Sequence, residues 1–257
     1  MAASDAADIA AVMMPGMAWI WAGVFGVVAL ASAAQVVSGF GFALIATPLV
    51  AVLVGPREAV VGLTIVSLIL VTQVAIRGRG HVDRSAVVVM SASAIAGMPL
   101  GLLVLTRADE QILTLIIAIV VIAFSILLWR GLPLPGGRGA DVVAGFTAGI
   151  LSTSTGTSGP PVVIALSRVL PEPSRFRSTI SAIFLIQGSA ALVAFALGEQ
   201  ITSDALAVAL AGLPGLMLGS IVGERGFRRL DAPTFRRVVL GMLFVSGVVA
   251  LFGALWS

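Results

Sequence analysis

A ten-residue stretch, "STSTGTSGPP" at 152–161, combines side chains that can bind a ligand with residues that interrupt a helix. Pro160 and Pro161 suit the first turn of a new helix, where a missing N–H costs little. The start of such a helix offers unpaired N–H groups and the positive end of its dipole, and both favour an anion. Hydroxyl groups nearby add further donors. The predicted ligand-binding residues here are Ser154, Thr155, Gly156, Thr157, Ser158 and Gly159.

A second interruption, "SGFGFALIATP" at 38–48, resembles the first in composition. Glycine breaks a helix and lets the backbone approach a ligand closely, so Ser38, Gly39 and Gly41 are also predicted to bind it. Gln73 and Gln187 are interpreted as a symmetric pair of amide donors beside the two breaks, and Gln35 could join them. Two alternatives stay open: close packing of small residues at 152–159, and hydrogen bonds between helices for the two glutamines.

These residues must be positioned by membrane-spanning helices. Hydrophobic residues make up 59% of the 257 residues and charged ones 11%, against about a quarter charged in soluble domains. A spanning helix needs roughly 20 apolar residues. The chain is therefore predicted to be an all-α polytopic membrane protein. Its long apolar runs lie at 17–37, 59–76, 85–105, 111–129, 178–197, 205–223 and 238–256.

Composition also excludes several classes of function. All 15 basic residues are arginines that lie outside the apolar runs, so nucleic-acid binding is not expected. The chain has one histidine, no cysteine and no carboxylate inside an apolar run. A membrane-embedded enzyme would need a catalytic cluster of such groups. We therefore predict no catalytic residue, metal or cofactor.

Arginine-rich loops predict the orientation in the membrane. Cytoplasmic loops carry an excess of basic residues, and arginines concentrate at 77–84, 168–177 and 225–237. The loop at 198–204 has only acidic charges and is predicted to face outward. This arrangement places both termini on the outer side of the membrane. The arginine loops are interpreted as topology signals rather than as substrate gates.

Similar segments recur at a nearly constant separation. "TPLV" at 47–50 resembles "PPVV" at 160–163, and "AIAGMPLG" at 94–101 resembles "ALAGLPGL" at 209–216. With the predicted orientations, these matches indicate an inverted repeat, a common plan of secondary transporters. Each half comprises a broken segment followed by three spans, and the halves rock against each other. The first half is 1–135, with its broken segment at 17–54; the second is 136–257, with a hairpin at 141–170.

The order of these motifs resembles the TauE/SafE sulfite exporter family, also called TSUP. The matching residues are the glycine-rich break before "TPLV", "PREAVVGLTIVS" at 56–67, "GHVD" at 80–83, "AGMPLG" at 96–101 and "GTSGPP" at 156–161. The resemblance covers about 20–255 and implies an inner-membrane transporter of sulfur-containing anions. The first break has fewer glycines than in many members, so the resemblance does not fix the substrate.

The sequence therefore predicts a secondary carrier that moves a small sulfur-containing anion, such as sulfite or an organosulfonate, by alternating access. A channel-like anion facilitator and a carrier of a small carboxylate are the alternatives. The predicted partners are the anion and the lipid bilayer. A coupling ion (proton or sodium) and a homodimer are left open.

Overall fold

The computed structural model describes residues 17–77, 82–130, 137–170 and 172–226, together with 241, 244–245, 247–249 and 251–252. Within 17–226 the described residues form α-helices joined by short connections. The helices are α1 (Ala18–Ser38), α2 (Phe42–Val54), α3 (Pro56–Arg77), α4 (Arg84–Arg107), α5 (Glu110–Arg130), α6 (Arg138–Ser154), α7 (Gly159–Val169), α8 (Pro173–Leu197) and α9 (Ser203–Gly226). The all-helical prediction is confirmed.

Six of these helices are long and apolar enough to cross a membrane, namely α1, α3, α4, α5, α8 and α9. They coincide with six of the apolar runs, because a continuous apolar stretch of this length is stable in lipid only as a helix. The seventh run, at 238–256, lies largely outside the described residues. The loop prediction for 225–237 and the single histidine, His81, also fall mostly or wholly outside them.

Both predicted interruptions are breaks between helices. Gly39 ends α1 in the left-handed conformation with φ of 83°, and Gly41 precedes α2 with φ of 103°. Helix α6 ends at Ser154, and α7 begins at Gly159 with prolines in its first turn. The helix before the second break is longer than the sequence predicted, because it continues through the first three residues of "STSTGTSGPP". Its 17 residues span roughly 25 Å at 1.5 Å per residue.

Glycines form a tight seam between α4 and α6. A Cβ added at Gly97 or Gly101 would overlap backbone oxygens of α6, and one at Gly145 or Gly149 would overlap those of α4. The Thr153 hydroxyl also donates to the Met98 carbonyl at 2.8 Å across this seam. The glycines of "GMPLG" at 97–101 and "GFTAG" at 145–149 therefore pack α4 and α6 against each other.

A second seam joins α1 and α9 in the same manner. Gly215, Gly219 and Gly223 face the backbone oxygens of Phe25, Ala29 and Ala33, so the glycines of "GLMLG" at 215–219 pack in this seam as well. Each seam pairs a helix from the first half of the sequence with one from the second half. The helix that precedes the break in each half, α1 or α6, is thus packed tightly against a helix of the other half.

The contacts group the helices into two units. Unit A contains α1, α2, α3 and α9, and unit B contains α4, α6, α7 and α8. The units meet along α3 and α8, while α5 contacts members of both. Helices α2 and α7 begin 117 residues apart, at Phe42 and Gly159, and α3 and α8 are offset equally, at Pro56 and Pro173.

Candidate anion-binding site

The two breaks meet at one cavity of about 50 Å³, several times the roughly 10–15 Å³ that a single water needs. It lies between the middle of α3 and the middle of α8, both of which are candidate membrane spans. None of the described residues that line it is charged. The lining comes from both units: Gln35, Gly41, Phe42, Ala43, Leu44, Thr64, Ser67, Leu68 and Val71 from unit A, and Ser152, Gly156, Thr157, Ser158, Gly159, Phe184 and Gly188 from unit B or its break.

Gln35 organises the first break. Its side-chain Oε1 accepts a hydrogen bond of 3.1 Å from the Phe42 N–H, the first amide of α2. The side chain is 5% exposed and lines the cavity. Because its oxygen is engaged with the backbone, its Nε2 group is the part that can donate to a ligand. The Ala43 N–H, in the first turn of α2, also has no acceptor within the helix.

The second break offers fewer amides than the sequence suggested. Pro160 and Pro161 carry no N–H, so Gly159 provides the unpaired amide in the first turn of α7. Ser158 precedes it, and its hydroxyl does not cap the helix. Ser152 is also buried and lines the cavity. The Gly159 amide and the hydroxyls of Ser152 and Ser158 are therefore candidate donors to the cavity from this side.

Several predicted hydroxyl donors are already used inside the protein. Ser154 donates to the Ile150 carbonyl at 2.7 Å, and Thr155 to the Leu151 carbonyl at 3.0 Å. The Thr157 hydroxyl lies 2.6 Å from that of Thr155 and donates to it when Thr155 donates to the carbonyl. Such bonds to the preceding turn are usual for Ser and Thr within a helix. Thr157 can therefore contribute an oxygen acceptor to the cavity rather than a free donor.

Among the predicted site residues, Gly41, Gly156, Thr157, Ser158 and Gly159 line the cavity. Others lie elsewhere. Ser154, Thr155 and Gly39 are beside the breaks but do not line it, and the side chain of Ser38 lies outside the described residues.

The two glutamines do not form a matched pair. Gln73 is exposed, because it follows the cavity-lining Val71 by two residues, or about 200° around α3. Gln187 is fully buried, next to the cavity-lining Gly188. Its amide oxygen and nitrogen both lack a hydrogen-bond partner among the described residues.

Sequence reasoning missed the contribution of α3. Thr64, Ser67, Leu68 and Val71 line the cavity and follow the i, i+3, i+4, i+7 spacing of one helix face. Two hydroxyl residues on one face of an apolar helix were the available signal. Phe184 gives no comparable signal, because an aromatic residue in a membrane helix is ordinarily a packing residue.

Gln187→Leu should leave the ligand-free protein at least as heat-stable as the parent protein. An unpaired buried amide costs about 1–3 kcal/mol, and leucine of similar size removes that cost. Thermal unfolding in detergent measures the difference. A clear loss of stability would contradict this prediction and would show that the Gln187 amide forms a hydrogen bond that stabilises the fold.

Together, the spanning helices and the cavity between two helix breaks define a polytopic membrane protein with a polar cavity inside its helix bundle. The sulfite exporter TauE/SafE family model matches residues 24–250. The chain belongs to this family, whose members are membrane transporters rather than enzymes.

Two curated relatives are similar to the chain. The probable sulfite/organosulfonate exporter TauE of Cupriavidus necator is 25% identical over 233 residues, covering 86% of this chain and 90% of the relative. The probable inner membrane transporter protein TsaS of Comamonas testosteroni is 29% identical over 136 residues, covering 50% of this chain and 56% of the relative. No solved structure matches the chain.

Proposed function

We propose that the protein is a secondary carrier in the bacterial inner membrane for a small sulfur-containing oxyanion, either sulfite or an organosulfonate. The observation that carries this proposal is the meeting of α2 and α7 at one cavity between the units. Both helices begin there, so the positive ends of both dipoles favour a negative charge. The relatives' names supply the sulfur chemistry, because one is a probable sulfite/organosulfonate exporter.

Neutral donors suit a carrier. The Gln35 amide, the Gly159 N–H and the Ser158 hydroxyl can surround an oxyanion without a charged side chain among the described residues that line the cavity. A buried arginine would form a stronger, charge-assisted pair and slow the release of the substrate. A carrier has to release what it binds, so several weaker donors fit the proposed task better.

The moving bodies in this proposal are units A and B rather than the two halves of the sequence. The seams fix α1 to α9 and α4 to α6, so the halves cannot separate as rigid bodies without breaking both seams. Unit A consists of α1, α2 and α3 from the first half and α9 from the second. Unit B consists of α6, α7 and α8 from the second half and α4 from the first. This exchange, together with the equal offset of the helix starts, supports an inverted repeat. The cavity between the units would open to either side as they rock.

A ligand screen followed by a transport assay tests the proposal. Sulfite, sulfate, thiosulfate, taurine, isethionate and sulfoacetate should be compared with acetate and malonate by thermal shift of the purified protein. A sulfur oxyanion should stabilise it most, because a ligand that binds only the folded state raises the free energy of unfolding. Stabilisation by carboxylates alone would contradict the substrate class.

The same protein in vesicles should show saturable uptake and counterflow exchange of the best ligand. Flux that neither saturates nor exchanges would favour the channel-like facilitator. Imposed proton and sodium gradients would identify a coupling ion, and crosslinking in the same vesicles would test the homodimer.

A further inference from the structure

Arg57, at the start of α3, bonds to the end of α4. Its Nε donates to the Leu105 carbonyl at 3.0 Å, and its Nη2 donates to the Ala108 carbonyl at 2.6 Å. These carbonyls lie at a helix end, where they lack partners within the helix. Because α3 belongs to unit A and α4 to unit B, Arg57 ties the two units together.

Arg177, in the second turn of α8, makes a comparable bond between the units. Its Nη2 donates to the Val36 carbonyl, near the end of α1, at 2.6 Å. Its side chain also packs beside Gly39, where an added Cβ would lie 3.3 Å from the arginine Cγ. Arg177 therefore joins unit B to unit A beside the first break, one residue from Gln35.

The two arginines lie at opposite ends of the helix bundle. Helix α4 has 24 residues and is roughly 36 Å long at 1.5 Å per residue. Just before its first turn, Asp83 accepts one hydrogen bond from Arg175 of α8 and donates its N–H to the Thr179 hydroxyl, so the start of α8 lies there. At its other end α4 meets Arg57. The cavity, in the middle of α3 and α8, lies between the two arginine contacts.

We propose that Arg57 and Arg177 are opposing latches, each of which closes the interface between units A and B on one side of the cavity. This proposal rests on the transport function proposed above and assigns the residues whose bonds must break in each half of the cycle. Opening toward the Arg57 end requires loss of its two carbonyl bonds while Arg177 stays bound. Opening toward the other end requires the reverse.

Both arginines could instead serve only as helix caps. Arginine commonly bonds the last carbonyls of a helix, and loss of a cap lowers stability without favouring either side. The latch proposal differs because it predicts opposite effects on access to the cavity. The ion pair between Asp83 and Arg175, at 3.1 Å, differs from both latches because it does not join the two units. Arg175 lies in α8, and Asp83 directly precedes α4 of the same unit B.

Thiol labelling can separate these roles, because the chain has no cysteine. Ser67→Cys places one thiol on the cavity wall. The protein is reconstituted in vesicles of known orientation, and a membrane-impermeant maleimide is added on one side at a time. Arg57→Ala and Arg177→Ala are each combined with this reporter. Arg107→Ala is the control for Arg57→Ala, and Arg84→Ala is the control for Arg177→Ala. Each control removes an exposed arginine of α4 at the same end of the bundle as the arginine it is compared with.

Arg57→Ala should raise the labelling rate from one side by about tenfold or more, as expected for loss of charge-assisted hydrogen bonds. Arg177→Ala should raise it by a similar factor from the opposite side, and the controls should match the reporter alone. Unchanged labelling in both variants, or increases from the same side, would overturn the latch proposal. If an alanine variant does not fold, Arg57→Met or Arg177→Met replaces it, because methionine keeps an unbranched side chain but has no N–H to donate. An unchanged rate then has the same meaning.

Failure of the latches is distinguishable from failure of the transport function. The labelling assay uses no substrate, whereas the thermal shift with anions does not depend on either arginine. Retained anion binding with symmetric labelling would reject the latches alone. Absence of any anion-induced shift in the parent protein would reject the proposed function while leaving the labelling result interpretable.

Discussion

Gln35→Leu should raise the dissociation constant of the transported anion by roughly ten- to a hundredfold. A hydrogen bond to a charged group contributes about 1.5–3 kcal/mol, and each 1.4 kcal/mol changes an equilibrium constant tenfold. The substitution removes the Nε2 donor from the cavity and also the acceptor for the Phe42 N–H. Loss of that acceptor leaves the start of α2 without its cap, which costs about 1 kcal/mol of stability. Anion-dependent thermal shift and initial uptake rates measure both effects.

Gln35→Glu separates the two roles. The glutamate keeps an oxygen for the Phe42 N–H but presents a second oxygen to the anion in place of a donor. Where the glutamate is ionised, the acceptor for the Phe42 N–H should therefore be retained while anion binding is lost. Gln73→Leu is the matched control, because Gln73 is exposed and lies away from the cavity. Equal losses in Gln35→Leu and Gln73→Leu would show that the cavity at Gln35 is not the binding site.

Gly219→Val should destabilise the folded protein by more than about 3 kcal/mol, beyond the usual cost of overpacking a core. A Cβ at this position would overlap the carbonyl oxygen of Ala29, so α1 and α9 must move apart. Gly149→Val should act similarly on the seam between α4 and α6. The expected readouts are a lower yield of monodisperse protein in detergent and a lower unfolding temperature.

Gly26→Val is the control for the seam between α1 and α9. Gly26 lies on α1, the partner of α9 in this seam, but an added Cβ there meets nothing within 4 Å. It should behave like the parent protein in both measurements. Comparable behaviour of Gly219→Val and Gly26→Val would mean that the seam does not hold α1 and α9 together within unit A, and the division into units A and B would then lose its basis.

The spans and the breaks were predictable because each has a local cause. A continuous apolar run must satisfy its backbone internally in lipid, which dictates a helix. Gly39, Gly41 and Pro160 interrupt helices through their own backbone properties, whatever surrounds them. The packing glycines at 97–101, 145–149 and 215–219 were likewise recognisable from their spacing.

The roles of individual polar side chains were less predictable because they depend on where a helix ends and how it is rotated. Thr155 looked like a free donor, but α6 reaches Ser154 and places an acceptor beside its hydroxyl. Gln73 and Gln187 matched in sequence at an offset of 114, whereas the helix starts differ by 117. At the offset of 117 residues, the counterpart of Gln187 is Leu70 rather than Gln73, so the two amides need not face the same way.

The exchange of helices between the halves was also beyond sequence reasoning. Residues far apart in the chain form the seams, and glycine spacing on one helix does not identify its partner. The expected rocking of one half against the other followed from chain order alone. The contacts of α1 with α9 and of α4 with α6 instead favour units A and B as the bodies that move.

Anomalous diffraction from crystals soaked in selenate, an oxyanion of similar shape to sulfate, tests the site most directly. The selenate oxygens should lie within about 3.2 Å of both the Gln35 Nε2 and the Gly159 amide nitrogen, one donor from each break. A selenium peak held by one break alone, or bound selenate elsewhere in the protein, would contradict a shared anion site.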